Sequence, residues 1–459
     1  MKEIFKQAVD NHKKNNFQVA LNLYNKVLEI EPKHIIANSN IGAIFLVLGN
    51  YQKAKDYLEK TIKIDPNYLD AYNNLGITLK MLGDNHKAIK CYEKIIKINP
   101  SYVSAYNNLG SVFYKLKEYN KAQDHFEMAI NINPKYLDAY NNLGNTKTKL
   151  GEHQKAITNF EKAIQIDPNY TDAHYNLGLA FGAIGEYNKS KKCFKRVIQI
   201  DVNYSDAYWN LYTVSSNIDE ALSFLKKISE INNKHIKSNI MLAALEGYKG
   251  NFNKFNDILK TSDSNHPYMR SVKWVFSLHK LPKVFFNRND FFDSVVSLTD
   301  NSRPFYEFGV WNGVSFQYLI NTFKKGFGFD TFTGLPDNWH DETIGAYSSF
   351  GMVPKIEGGE FIVGEFKKTL PKFFSKKRPK ASLINFDADM YSSTLCALNY
   401  ANNVIDEKTI LIFDELIMNE NWEEDEFRAL NEFCKVLGYN YEILAISFAS
   451  KQVAVQLNK

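Results

Sequence analysis

The side chains best suited to chemistry are carboxylates that close short apolar runs late in the chain. Asp330 follows Gly326-Phe327-Gly328-Phe329, Asp387 follows Ile384-Asn385-Phe386, and Asp414 follows Ile412-Phe413. An earlier run, Phe305-Tyr306-Glu307-Phe308-Gly309, carries Glu307 within it and opens into Val310-Trp311-Asn312-Gly313-Val314-Ser315. A glycine-bearing turn between a strand and a helix lets a ligand approach backbone N–H groups at the helix N-terminus. Asp330 lies 21 residues after Gly309, the interval at which a carboxylate accepts hydrogen bonds from ribose hydroxyls. Together these residues predict a nucleoside-containing cofactor, with Glu307 as a second acidic group in the same crevice. Nicotinamide cofactors call for glycine where Trp311 stands, because the backbone there meets a pyrophosphate. A cofactor without phosphates suits the turn better. S-adenosylmethionine is one, and its sulfonium charge is compatible with acidic strand ends.

The elements that must position these residues are short strands separated by helical stretches, a pattern of βαβ units and a parallel sheet from about residue 300 onward. The spacing predicts strands at Pro304–Gly309, Gly326–Asp330, Ser382–Asp387, Thr409–Asp414, Tyr441–Ser447 and Gln452–Leu457, with a further short one at Phe361–Gly364. The last two of the main series have no helix between them and should pair as a hairpin.

Four motifs occur in order: Glu307-Phe308-Gly309-Val310-Trp311, Gly328-Phe329-Asp330-Thr331-Phe332-Thr333-Gly334-Leu335-Pro336, Phe386-Asp387-Ala388-Asp389-Met390-Tyr391-Ser392-Ser393-Thr394 and Phe413-Asp414-Glu415. Over roughly residues 285–459 they resemble the macrocin O-methyltransferase family, the sugar O-methyltransferases of tylosin and novobiocin biosynthesis. The resemblance implies a class I, Rossmann-like methyltransferase domain using S-adenosylmethionine and a divalent cation, usually magnesium, on a hydroxyl of a sugar or sugar-derived acceptor. It implies that Glu307, Gly309 and Gly313 shape the methionine side of the cofactor pocket, that Asp330 holds the ribose, and that Phe308, Ser315 and Thr331 belong to the same pocket. It further implies that Asp387, Asp414 and Glu415 ligate the metal and that Asp389 is the general base. Some members have two aspartates where this chain has Asp414-Glu415. Taken alone, Asp387 and Asp389 also read as a helix cap and a solvated residue, with Ser392-Ser393-Thr394 as further caps. The polar loop from Asn338 through Gly351, with Trp339 and His340, is long enough to act as a lid.

The first half is organised differently. Prolines recur at Pro32, Pro66, Pro100, Pro134 and Pro168, each step 34 residues. Ala8, Gly42, Gly76, Gly110, Gly144 and Gly178 keep the same frame, as do Ala20, Ala54, Ala88, Ala122, Ala156 and Ser190. This period with small residues at fixed offsets resembles the tetratricopeptide repeat. Each repeat would be a helix pair, joined by turns such as Leu82-Gly83-Asp84 and closed by proline. One hairpin cannot bury its apolar face alone, so the units should stack into an all-α superhelix. After Asp201 the register decays, with Val202 in the proline position and Tyr212 in the glycine position. The expected organisation is a solenoid of six repeats plus degenerate capping helices over 1–265, a helical connector over 266–300 and the methyltransferase domain over 301–459.

Asn40, Asn74, Asn108, Asn142, Asn176 and Asn210 occupy one position of successive first helices. Asparagine is a mediocre helix former, so six in register ask for a reason. The series resembles the asparagine ladder of O-linked N-acetylglucosamine transferases, where the amides hold an extended peptide by its backbone. That resemblance implies a peptide-binding groove for a protein partner. Hydrogen bonds within the stack, or duplication of one unit, would also explain it, and the concave surface equally allows a homo-oligomer.

Composition sets outer limits. The 459 residues are 44% hydrophobic and 23% charged with net charge +5, ordinary for a soluble globular chain. Only six arginines occur, scattered from Arg196 to Arg428, so no groove-reading basic element suggests a nucleic-acid partner. No apolar run is long enough to span a bilayer, and Met1-Lys2-Glu3-Ile4-Phe5-Lys6 lacks the apolar core of a signal peptide. Cys91, Cys193, Cys396 and Cys434 form no CxxC pair. The expectation is a reduced, cytoplasmic protein.

Overall fold

In the computed structural model the described residues are 1–459 without 336–339, 341–343, 347 and 350. Among them the chain divides into two compact units, Met1–Ala180 and Phe181–Lys459.

The first unit is built from antiparallel helix pairs of 12 to 14 residues, from Lys2–Lys13 and Phe17–Ile30 through Leu137–Lys149 and His153–Ile166, and into Thr171–Ala183. Second helices end just before the proline, as Tyr51–Ile64 does two residues ahead of Pro66. The periodic alanines Ala8, Ala20, Ala54, Ala88, Ala122 and Ala156 are fully buried. The glycine series makes room for a residue sixteen positions on rather than for the alanine of the next helix. A Cβ at Gly76 would lie 2.6 Å from the Tyr92 ring, and one at Gly144 would lie 2.4 Å from the Phe160 ring.

The second unit begins within the sixth repeat, so the compact division falls well ahead of the boundary expected near 265. Tyr187–Ile200, Ser205–Thr213, Ile218–Ile231, Ile236–Tyr248 and Asn253–Leu259 continue the helical series, followed by Pro267–Ser277. Tyr212 is fully buried, with its ring 5.9 Å from that of Phe286 in an edge-on contact. At this glycine position of the register stands a ring that packs against the segment leading into the sheet.

Among the described residues this unit forms one sheet of eight strands: β1 (Lys283–Phe285), β2 (Phe305–Phe308), β3 (Gly326–Asp330), β4 (Gly359–Val363), β5 (Leu383–Phe386), β6 (Ile410–Phe413), β7 (Asn440–Ser447) and β8 (Val453–Asn458). The order is β1-β7-β8-β6-β5-β2-β3-β4. Every pairing is parallel except those of β8, which runs antiparallel between β6 and β7. The expected β7–β8 hairpin is present. The expected helical connector is not wholly helical: it supplies edge strand β1 and the helix Arg288–Val296, whose Phe291, Phe292 and Val295 lie in the core beneath the sheet. β2, β5 and β6 are buried along their whole length, as parallel strands covered on both faces must be. Among the described residues no helix is long and apolar enough to cross a membrane.

Candidate functional site

The strand order reverses between β2 and β5, and in an open α/β sheet the crevice outside the carboxyl ends at that point is where ligands bind. The two turns touch there. Gly309 has φ +89°, and a Cβ on it would lie 1.7 Å from the carbonyl oxygen of Asp387, so no other residue fits. Asp330 fastens the same turn: its Oδ2 accepts from the N–H of Val310 at 2.7 Å and of Trp311 at 2.8 Å, while Oδ1 accepts from Phe332 N–H at 2.6 Å. Trp311, Phe332 and Asp389 all adopt left-handed backbone, at φ 48°, 58° and 58°, each within three residues of a strand's end. Such conformations cost about 1–3 kcal/mol each and gather at functional sites.

A crevice of about 390 Å³ opens here, lined by Gly309, Asp330, Thr331, Phe366, Asp387 and Asp389. A second cavity of about 810 Å³ adjoins it and shares Arg288, Trp311 and Asp387. Gly313 and Ser315 face this second space, together with Tyr187, Asn289 and Tyr318. The volumes suit small-molecule ligands. Phe308 lines neither, contrary to expectation. Its ring stacks on Phe329 at 4.7 Å and Phe386 at 5.4 Å in a row of aromatics across the sheet, so it is core.

Glu307 is wholly buried. Its Oε1 accepts from the hydroxyl of Ser315, while Oε2 has no hydrogen-bond partner. Asn385 stands opposite in register on β5, near enough to favour the Glu307 carboxylate but out of hydrogen-bonding geometry, and neither of its amide atoms is satisfied. Burial pushes the Glu307 carboxyl up to about 8, against the smaller opposing influence of Ser315, so at neutral pH it is mainly protonated. These orphaned buried atoms behind the glycine turn, with the Gly309 cradle and the Asp330 strand end, fit a polar cofactor of the expected kind.

The remaining carboxylates fall into two classes. Asp414 is held: Arg288 Nη2 lies 2.9 and 2.7 Å from its two oxygens, and Gln452 Nε2 donates to it at 2.6 Å. Glu415 is also held, by Lys451 at 3.0 Å and Asn419 at 2.6 Å. Buried Glu426 accepts from the N–H of Glu415 at 3.2 Å. Asp387 and Asp389, by contrast, receive no side-chain donor among the described residues. Burial raises both, reinforced by the charges of neighbouring carboxylates, and brings Asp389 to about 8. Burial and Asp389 raise Glu426 likewise, while burial raises Asp414 against the opposing charge of Arg288.

This arrangement does not fit the metal set drawn from the sequence. Among the described residues no three Asp, Glu, His or Cys side chains gather as a cation would require. Two of the three expected ligands, Asp414 and Glu415, are neutralised by Arg288 and Lys451 instead. Sequence reasoning missed Arg288, Lys451, Gln452 and Glu426. The available signal was slight: a lone arginine ahead of the first buried strand, and the polar pair Lys451-Gln452 opening an otherwise apolar run. Of the expected lid, Asn338 and Trp339 lie outside the described residues, and His340 Nε2 lies 2.8 Å from Asp425 Oδ2.

The asparagine series has a role inside the repeat stack. Asn108, Asn142 and Asn176 each donate to the Oδ1 of an asparagine 35 residues earlier, Asn73, Asn107 and Asn141, at 2.9 to 3.0 Å. Asn40 donates to the hydroxyl of Tyr24 at 2.9 Å, and Asn210 to the carbonyl of Asp206 at 2.9 Å. Asn74 is half-buried on the same face. The acceptors of these rungs, the first asparagine of each Asn-Asn pair, went unread in the sequence although the doublet was in plain view.

Residues 33–101, 69–135, 125–158 and 171–204 match family models of the tetratricopeptide repeat, and residues 144–185 match a model described as TPR repeat. The chain is similar to the crystal structure of MamA at 31% identity, over 36% of this chain and 97% of that one, with a TM-score of 0.32. It is similar to pilF of Pseudomonas aeruginosa at 18% identity, over 47% and 96% of the two chains, with a TM-score of 0.40. YrrB, described as a TPR protein with an unusual peptide-binding site, is similar at 24% identity over 42% and 98%, with a TM-score of 0.33. No curated protein matches the chain.

Proposed function

The chain carries tetratricopeptide repeats, a scaffold for protein interaction, from residue 33 to residue 204, and we propose that its second unit is an S-adenosylmethionine-dependent O-methyltransferase. The observation that carries this reading is the switch-point crevice, where the Asp330-fastened Gly309 turn meets two acids without side-chain donors, Asp387 and Asp389. The four ordered motifs converge on it from β2, β3, β5 and β6.

Bound there, S-adenosylmethionine supplies a methyl group on a sulfonium, the electrophile of the reaction. Asp330 keeps acceptor capacity for ribose hydroxyls beside the three N–H groups it already holds, since a carboxylate offers about four lone-pair sites. Ionised Asp389 would take the proton from the acceptor hydroxyl, freeing its oxygen to accept the methyl group that the cofactor would supply. A base works best with a pKa near the working pH; burial brings Asp389 to about 8, so its base form is a minority at neutral pH and grows as the pH rises toward that value. The acceptor, a sugar or sugar-derived compound, enters from the larger cavity, whose walls pair the rings of Trp311 and Tyr318 with amides such as Asn289 and Gln317. The repeats bring a protein or peptide partner to the enzyme.

Calorimetric titration with S-adenosylhomocysteine tests the reading. Saturable one-to-one binding is expected, weakened by Asp330→Ala and nearly unchanged in Asp389→Asn. Absence of binding to the intact chain would leave the repeats as the working part of the molecule.

A further inference from the structure

We propose that Arg288 and Lys451 are the resident cations of this crevice, standing where the family that the sequence resembles places a divalent metal. Acids crowd the crevice: Asp330, Asp387, Asp389, Asp414 and Glu415 line it, with Glu307 and Glu426 buried beside them. Like charges so close cannot all ionise unless something balances them. A divalent ion would do so by drawing several oxygens to one point. Here two protein cations share the task at separate points.

Arg288 spans Asp414, with one guanidinium nitrogen at 2.7 and 2.9 Å from the two oxygens, and Gln452 donates to the same carboxylate. Asp414 and Asp387 hold the guanidinium charged against the burial that would discharge it. Lys451 closes a triangle with Glu415 and Asn419. Its Nζ lies 3.0 Å from the carboxylate and 2.6 Å from the amide oxygen, while the amide nitrogen lies 2.6 Å from the carboxylate's other oxygen.

Arg288 is held in place from outside the crevice. It is the first residue of the helix Arg288–Val296, whose N-cap Asn287 accepts from Asp290 N–H at 2.9 Å. It shares the wall of the larger cavity with Tyr187, on the second helix of the sixth repeat. Beside it, Asn289 donates to the carbonyl of Gly185 at 3.2 Å. A guanidinium so fixed is a permanent charge, because arginine does not deprotonate in proteins. A divalent ion entering at Asp414 would have to displace it or sit against it.

The test uses the full chain and Mn²⁺ as a spectroscopic stand-in for magnesium. The wild type is expected to show no saturable Mn²⁺ binding by paramagnetic resonance up to millimolar metal. Arg288→Met, which strips Asp414 of its partner, is expected to gain Mn²⁺ affinity by roughly tenfold or more, a coupling of about 1.4 kcal/mol. Lys451→Met is the second variant, and a smaller gain through Glu415 is expected, so the comparison survives if Arg288→Met does not fold. Tight one-to-one Mn²⁺ binding by the wild type, abolished by Asp414→Asn, would overturn the proposal.

The proposal rests on the methyltransferase reading only for its cofactor arm. There S-adenosylhomocysteine affinity is expected to stay within about twofold between chelator and magnesium, a difference of about 0.4 kcal/mol. Binding that needs the metal would sink the resident-cation proposal and leave the methyltransferase reading standing. No binding in either condition would sink that reading, while the Mn²⁺ arm would still decide the cation question.

Discussion

The repeat stack and the crevice handle polar groups in opposite ways. In the stack the asparagine rungs close on one another, Asn108 on Asn73, Asn142 on Asn107 and Asn176 on Asn141, so a side chain that looks like a ligand contact is spent on holding neighbours together. Buried atoms left unsatisfied there are mostly isolated, such as Asn38 Oδ1 and Tyr92 OH, apart from Glu152 Oε2 and His153 Nδ1 on adjacent residues, where Glu152 is ion-paired with Lys147 and Lys155. In the crevice Glu307 Oε2 and both amide atoms of Asn385 are left over side by side, next to crowded carboxylates and left-handed backbone. A buried polar group without a partner costs about 1–3 kcal/mol, so a cluster of them marks where stability has been set aside for something that binds. The periodic pattern advertises architecture, and the aperiodic leftovers advertise function.

The sharpest way to break that contrast is to add one methyl group to each region. Gly309→Ala puts Cβ 1.7 Å from a backbone oxygen at a φ that disfavours any side chain, and backbone cannot step aside. We expect a loss above about 4 kcal/mol, the range reserved for severe defects, seen as absence of a cooperative transition from the second unit in urea and loss of S-adenosylhomocysteine binding. Gly144→Ala meets only the edge of the Phe160 ring, at 2.4 Å. A ring can turn, so overpacking should cost about 1–3 kcal/mol on the urea curve, and Phe160→Leu in the same chain should recover part of it. Equal losses at the two glycines would mean that the crevice is no more constrained than the stack.

Protonation separates the regions next. Glu307 is raised to about 8 in the folded chain by burial, against about 4.3 when unfolded. Between these values the folded state holds a proton that the unfolded state has released, so stability falls as pH rises through that window and levels off above it. The thermal midpoint of the second unit should therefore fall from pH 5 to pH 8, and Glu307→Gln should lessen the fall, the remainder of which belongs to the raised carboxyls of Asp387, Asp389, Asp414 and Glu426. A wild-type midpoint that rises over this range would show the carboxyl to be ionised in the fold.

Legibility in the sequence followed the same divide. The repeats announce themselves because one register is restated at proline, glycine and alanine, and strands such as β3 and β5 are bounded by their own carboxylates. Three-residue β1 was hidden in a segment that reads as a connector, because Lys283-Val284-Phe285 is too short to show a period. Arg288 reaches Asp414 across 126 residues of sequence, and no local pattern encodes a pairing of that span. Phe308 was misread because it shares a motif with Glu307 and Gly309, while strand alternation sends its ring to the opposite side, into the aromatic core. The motifs bring Asp330, Asp387, Asp389, Asp414 and Glu415 to one crevice, and only the folded arrangement sorts them into held and unheld.

The smallest effect probes the rungs themselves. Asn142 donates at 3.0 Å to Asn107, which is buried. Removing the donor by Asn142→Ala leaves one buried acceptor unsatisfied and should cost about 1 kcal/mol, the usual net worth of such a bond. Removing both partners leaves no orphan, so the double variant with Asn107→Ala should cost less than the sum of the singles. The shortfall in a double-mutant cycle measures the rung. A peptide groove makes a different demand on the same side chain. If Asn142 served mainly an incoming peptide, the alanine variant would be as stable as the wild type in urea and the cycle would show no coupling. A measurable coupling would place these asparagines with the architecture, leaving the groove to be defined by whatever acceptor capacity the rungs do not use.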